Sequence, residues 1–226
     1  MTRDQASEPM GPADLFSVRP SVLEYGGLTM NARRSGNPLE TRVRAFDIIL
    51  KRSFSRGKFI LASGRESDFY LDMKPTMFDP EGANLLSELV LQRLKGMNVD
   101  RVGGLEMGAV PLVTSVSMMS VTAERQLPGF SVRKAVKDHG TKKRIESAGD
   151  LKGKNVVILE DVTTTGGSAM EAVTEARNAG ANIVLVLSIV DRGEGTEEFF
   201  KGNGIPFDRL FHVREFLAAT ADQQHS

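Results

Sequence analysis

Residues 155–172 read Asn-Val-Val-Ile-Leu-Glu-Asp-Val-Thr-Thr-Thr-Gly-Gly-Ser-Ala-Met-Glu-Ala. Val156 to Leu159 make an apolar run of the length a buried strand needs. The run ends in two adjacent carboxylates, Glu160 and Asp161. A loop of threonines and glycines follows, then a helix whose Ala169, Val173 and Ala176 recur at inward spacing. Strand, glycine turn and helix form the repeating unit of a parallel sheet, and an open parallel sheet binds ligands outside the carboxyl ends of its strands. The loop Thr163 to Ser168 suits a phosphate: small residues let it approach backbone N–H groups, hydroxyls can donate, and a helix begins with its positive dipole end. Two common phosphate loops are excluded, because the chain has no G-x-x-x-x-G-K-[ST] run and no G-x-G-x-x-G after a strand. Alone, Thr-Gly-Gly-Ser also serves as a tight turn and N-cap. The acids decide otherwise: they would repel a phosphate unless they held hydroxyls or a metal on the sugar side of the same ligand. Phosphate at the loop and a diol at the acids describes a ribose 5-phosphate.

Outward from this stretch, strands are expected at Arg101–Leu105, Phe130–Arg133, Ile183–Val190 and about Arg209–Val213, with helices starting near Val110 and Ser168. A helix over Glu81–Leu94 carries Leu85, Leu86, Leu89, Val90 and Leu94 on one side, and Gly96 ends it. Before it, Val43, Phe46, Ile49 or Leu50 and Phe54 recur at helical spacing, followed by extended pieces at Lys58–Leu61 and Phe69–Met73. Apolar strands alternating with helices predict an α/β fold, a parallel sheet covered on both faces. Residues 1–38 hold four prolines and four glycines without periodicity and are expected to be a flexible N-terminal extension. Residues 39–226 then form one domain, with a small subdomain at about 39–80 and a core at about 81–215.

Among 226 residues, 29 Lys plus Arg balance 29 Asp plus Glu, so nothing global draws the chain to nucleic acid or an acidic membrane. With no cysteine there is no disulfide, zinc thiolate or catalytic thiol, and His139, His212 and His225 lie too far apart for a typical metal spacing. The longest apolar stretch, Ile183–Val190, falls well short of the ~20 residues of a membrane-spanning helix. The start of the chain lacks an apolar signal segment, and Asp4, Glu8 and Asp14 argue against an organellar presequence. A soluble, cytoplasmic protein is expected.

Residues 133–147 read Arg-Lys-Ala-Val-Lys-Asp-His-Gly-Thr-Lys-Lys-Arg-Ile-Glu-Ser, with six cations and one anion among 133–144. Such charge cannot pack in a core. A nucleic-acid patch would want interleaved aromatics and more basic residues elsewhere. Between two core strands a connection needs only ~2 to 6 residues, so a longer charged one predicts a lid. Its charge suits a pyrophosphate leaving group, stabilised as its bond breaks.

The strand, the acids and Thr-Thr-Thr-Gly-Gly-Ser resemble the phosphoribosyl pyrophosphate (PRPP) motif of type I phosphoribosyltransferases. The R-K-x-x-K-x-H-G pattern with a later Ile145-Glu146 resembles the catalytic loop of the orotate phosphoribosyltransferase family in particular. Ser63-Gly64-Arg65 through Ser67, Tyr70, Asp72 and Lys74 is similar to another segment of that family, Gly104 through Pro111 to its pyrophosphate loop, and Asp191-Arg192 to its orotate-contacting pair. These matches span about residues 58–195. The resemblance implies a type I phosphoribosyltransferase-like parallel sheet flanked by helices, with an N-terminal hood subdomain. It implies transfer of the phosphoribosyl group of PRPP to orotate, giving orotidine 5'-monophosphate and pyrophosphate in pyrimidine (UMP) biosynthesis. PRPP would be held by Arg133, Lys134, Lys137, His139, Glu160, Asp161, Val162, Thr163, Thr164, Thr165, Gly166, Gly167 and Ser168, with Lys137, Asp161 and Arg133 catalytic. Lys74, Thr165 and Arg192 would meet orotate. Mg²⁺ would bind mainly through substrate and water, and the enzyme would be a homodimer sharing lid residues across its interface, with no nucleic-acid or membrane partner.

Tyr70 alone reads equally as core or as function, and Met107, Met118 and Met119 read as packing. The chain departs from some relatives at Ala62 and Met107, where those carry lysines, and at Ser147, where many carry glycine. Two alternatives stand beside this reading. One is transfer to another base. The other is a PRPP-binding transcription regulator, for which residues 1–38 lack a helix-turn-helix pattern.

Overall fold

The computed structural model describes residues 37–60, 64, 66–123, 125–135 and 144–221. The expected extension up to residue 36, Ala62, Ser63, Arg65, and the lid residues Lys137 and His139 lie outside the described residues.

The uninterrupted apolar runs are strands buried on both faces. β6 (Asn155–Thr163) and β7 (Asn182–Asp191) pair in parallel in the interior of a six-stranded sheet. β3 (Arg101–Leu105) lies on the other side of β6, followed outward by β4 (Gly129–Val132) and β5 (Ile145–Ser147), while β8 (Phe207–His212) closes the far edge beyond β7. All pairs are parallel except β4 with β5. Here the sheet departs from the purely parallel one expected. The chain returns from residues 133–144 directly beside β4, and a strand that returns without a crossover pairs antiparallel.

Each face of the sheet carries its own core. Val157 and Leu159 of β6, with Leu187 and Ile189 of β7, pack with α3 (Pro80–Leu94), α4 (Val110–Met119), α1 (Pro38–Arg52) and α7 (Val213–Ala219). Val156, Ile158 and Val186 face α5 (Gly167–Asn178) and Phe200 of α6 (Thr196–Gly202). Ile158 and Leu159, both 0% exposed, each contribute about 1.5–3 kcal/mol by their burial. α3 starts where Asp79 accepts hydrogen bonds from the Glu81 and Gly82 amides, with Pro80 opening the helix. Its buried side holds the five expected apolar residues.

The N-terminal elements differ from expectation. α1 ends at Arg52, and Phe54 opens β1 (Phe54–Ile60), which pairs antiparallel with β2 (Glu66–Leu71) in a separate two-stranded sheet. The helix buries Thr41, Ala45 and Ile49, while Val43 is exposed, because the side facing α3 is set by tertiary packing rather than by the most apolar stripe. A short helix, α2 (Lys74–Met77), follows the hairpin. α2, α6 and α7 are too brief to show a period in sequence. Met107 and Met118 are exposed rather than packed, and Met119 is half-buried.

In chain order β3 leads to β4 on one side, while β6 lies on the other. That reversal is a topological switch point, and in an open parallel sheet the carboxyl ends of the strands at such a point, here β3 and β6, are where a ligand is expected.

Candidate active site

At the carboxyl end of β6 the chain turns into α5 through Thr164–Gly166. Gly166 has φ +88°, and a Cβ there would stand 2.8 Å from the Phe199 ring and 3.0 Å from that of Phe200. Only glycine meets both demands. Gly166 is the N-cap of α5 and no side chain caps the helix, so its first-turn amides stay available to an anion. From behind, Thr196 Oγ1 donates to the Thr164 carbonyl at 2.7 Å, tying the loop to α6. Thr165, Gly167 and Ser168 are exposed. Thr163 differs from the others: it is a strand residue, 2% exposed, whose hydroxyl lies 3.3 Å from Ser188 Oγ and 3.4 Å from Asp191 Oδ1. Its side chain is engaged within the sheet, not offered to the loop.

Consecutive strand residues point to opposite faces. Accordingly Glu160 and Asp161 look to different walls. Glu160 is 7% exposed, and its Oε2 is buried without a hydrogen-bond partner. Burial pushes its pKa up to about 8, Asp161 adds to the shift, and Lys134 opposes it. Asp161 is half-buried beside Gly108, where a Cβ would come within 2.8 Å of its Oδ1. Burial raises the Asp161 carboxyl too, against the Val162 amide and Lys74, which hold it down. Two acceptors at one strand end, one of them unfilled, suit a ligand that brings donors, such as a diol.

The rims are built from side chains. After β3, the Glu106–Met107 peptide is cis, and Glu106 Oε1 accepts from the Lys134 amide at 3.0 Å. Arg133 places Nη1 3.8 Å from Glu146, and its buried Nε has no hydrogen-bond partner. Lys74 Nζ donates to Asp72 at 3.0 Å, and that bond raises the lysine pKa with further help from Asp161. Arg192 directly follows β7, with a side chain only 8% exposed. Its Nε bonds Glu194 at 2.9 Å, its Nη2 reaches Ser67 Oγ at 3.4 Å, and its guanidinium lies 4.4 Å above the Phe69 ring. Tyr70 is 45% exposed against Phe59, so it is not a core residue.

The described candidates therefore gather at the carboxyl ends of β3, β4, β6 and β7, with Lys74 reaching in from α2. Thr196 was not legible in sequence, since its partner Thr164 is 32 positions away and no local pattern marks the pair. Gly108 likewise shows its role only beside Asp161. Among the described residues no group of three His, Cys, Asp or Glu side chains could hold a metal ion by itself.

Residues 78–202 match the phosphoribosyl transferase domain. The chain is 53% identical to an orotate phosphoribosyltransferase of Bradyrhizobium diazoefficiens over 182 residues, covering 79% of this chain and 97% of that one. A crystal structure of Mycobacterium tuberculosis orotate phosphoribosyltransferase with Fe(III) dicitrate superposes with a TM-score of 0.70 at 29% identity, covering 78% of this chain and 98% of that one. A structure of the same mycobacterial enzyme in complex with PRPP gives a TM-score of 0.66 at 27% identity over the same shares of the two chains. With its site at the switch point of a parallel sheet and this identity over nearly the full length of its relatives, the chain belongs to the orotate phosphoribosyltransferase family.

Proposed function

We propose that this chain transfers the 5-phosphoribosyl group of PRPP to N1 of orotate, giving orotidine 5'-monophosphate and pyrophosphate in pyrimidine biosynthesis. The observation that carries this reading is the acid pair at the end of β6, with Glu160 buried and one of its oxygens unpartnered, followed by a short turn into an uncapped, glycine-started helix. In it the amides of Thr164 to Ser168 take the 5'-phosphate, and Val162 and Thr163 hold the strand end behind them. Asp161 and Glu160 accept from the ribose hydroxyls. The C1–O bond breaks with its electron pair leaving on pyrophosphate, the orotate N1 forms the new bond to C1, and N1 gives up its proton. Catalysis is then largely positioning and electrostatics: Arg133 and Lys134, with Lys137 and His139, supply positive charge where the leaving group gains negative charge. The Arg192 guanidinium can take the planar orotate carboxylate bidentately, with Lys74 and Thr165 completing that end.

The donor set fits Mg²⁺. Glu160 Oε2 is a buried carboxyl oxygen without a partner, Asp161 follows it on the other wall of the strand end, and no self-sufficient ligand cluster occurs among the described residues. Such a site suits a hard cation held mostly by substrate oxygens and water. When bound, the ion would neutralise pyrophosphate charge. We further read residues 39–80 as the hood, 81–215 as the core and 1–38 as an N-terminal extension. Among the described residues no helix is long and apolar enough to cross a membrane.

Orotate absorbance, followed with PRPP and Mg²⁺ and with each left out, tests the reaction. Loss of absorbance only in the complete mixture is expected, and none in a folded sample rules the assignment out; parallel mixtures with other bases test the acceptor. Shared sites in a homodimer are tested by mixing Lys137→Ala and Asp161→Asn variants, each expected to be strongly impaired alone. Hybrid dimers should regain activity.

A further inference from the structure

Arg144 belongs by sequence to the cationic run of residues 133–144, yet its guanidinium is already engaged. Nε donates to the Arg133 carbonyl at 2.9 Å, and Nη2 donates to that of Lys134 at 3.1 Å. On its other side Nη1 donates to Glu175 at 2.9 Å and Nη2 to Glu171, both on α5. A guanidinium flanked by two carboxylates offers little charge to a phosphate. What it does offer is geometry. The Arg133 amide donates to the Arg144 carbonyl at 2.8 Å, extending the β4–β5 ladder by one rung. The Lys134 amide donates to Glu106 at the end of β3. The backbone of Lys134 is thus pinned between the β3–α4 turn through its amide and α5 through its carbonyl. α5 is the helix whose uncapped first turn is, in the reading given above, the phosphate cradle.

We propose that Arg144 is a positioning residue: it fastens Arg133 and Lys134 to α5, so that the cations at the pyrophosphate end keep a set distance from the 5'-phosphate cradle. This inference rests on the reading of the site given above. Arginine suits the task because its planar group presents five donors in a rigid fork, enough to join two carbonyls and two carboxylates at once. Lysine carries the same charge but cannot span that set. The pyrophosphate end tolerates little slack, since a shift of about 1 Å at reacting groups can cost ~100-fold.

The test is calorimetric binding of inorganic pyrophosphate and, separately, of ribose 5-phosphate, both in magnesium buffer. The proteins compared are the unaltered chain, Arg144→Met, Arg144→Lys and the double variant Glu171→Gln, Glu175→Gln. Arg144→Met should weaken pyrophosphate roughly tenfold to hundredfold and spare ribose 5-phosphate. Arg144→Lys should be as impaired as Arg144→Met, because charge without the fork does not restore the tie. The double glutamine variant should show the same selective loss, and adding it to Arg144→Met should cost nothing more, as expected for residues acting as one unit. Unchanged pyrophosphate binding, equal loss of both ligands, or full recovery with lysine would each overturn the proposal. Should Arg144→Met fail to fold, Glu171→Gln removes one anchor and is read by the same two titrations: selective loss supports the tie, and no loss refutes it. The unaltered chain is assayed for orotate turnover in parallel; if it binds both ligands but does not convert orotate, the proposed reaction fails while the Arg144 titrations remain decisive.

Discussion

The two ends of the proposed site are made by opposite means. The cradle at the head of α5 is backbone: a left-handed glycine, free first-turn amides and a loop carbonyl held by Thr196. The end at Arg192 is side chain: a guanidinium fixed by Glu194, Ser67 and the face of Phe69. Recognition by amides depends on conformation and little on which side chains line the loop. Recognition by a guanidinium depends on that one group and on the distant residues that aim it. Between them stand Glu160 and Asp161, where burial competes with charge.

The largest effect should come from the acid both ends share. Asp161→Asn keeps shape and removes charge, and we expect kcat/KM to fall about 10³-fold, with the melting temperature unchanged or higher because a raised carboxyl is relieved. Intact activity would show that the two ends work without the acids.

Glu160 is next. Its pKa stands at about 8 in the folded chain, against about 4.3 for an unperturbed glutamate. Below both values the carboxyl is neutral in either state and costs nothing. As pH rises, the unfolded chain ionises first and stability falls, until the folded carboxyl ionises as well near pH 8. Glu160→Gln should therefore melt with the unaltered chain at pH 4 and above it at pH 8, by an amount on the order of a few kcal/mol. A constant difference across that range would show that burial does not govern this carboxyl.

At the side-chain end, Arg192→Lys should raise KM for orotate about 10- to 100-fold and leave KM for PRPP near its original value, since the bidentate fork is lost. At the backbone end, Gly166→Ala should cost ~1–3 kcal/mol in stability and weaken ribose 5-phosphate about tenfold, because the Cβ meets Phe199 and the left-handed turn is strained. Thr164→Ala should be the mildest, under about threefold in the same binding measurement, because its contribution there is an amide. If it proves as severe as Gly166→Ala, the contrast between backbone and side-chain recognition does not hold.

Much of this was readable from residues in a row. β6, the acids and the loop are contiguous, and the alternation of Val156 to Leu159 between two cores follows from the strand period alone. The N-terminal helix was less legible: Val43 looked apolar enough to be inside, yet Ala45 and Thr41 are buried against α3 instead. The hairpin return of β5 beside β4 was also hidden, since a three-residue strand has too few positions to show a pattern.

By itself the chain's order of residues determined the parallel strands of the sheet core and the contiguous run of strand, acid pair and glycine turn at the end of β6, because each depends on neighbours within about one strand, loop and helix. Only the tertiary structure decided which distant groups complete them. Ser67 meets Arg192 across 125 positions, Thr196 braces Thr164, and Arg144 joins Arg133 and Lys134 to α5. Those pairings follow from strand order and helix placement, and hydrogen bonds between groups that far apart in sequence leave no local periodicity to read.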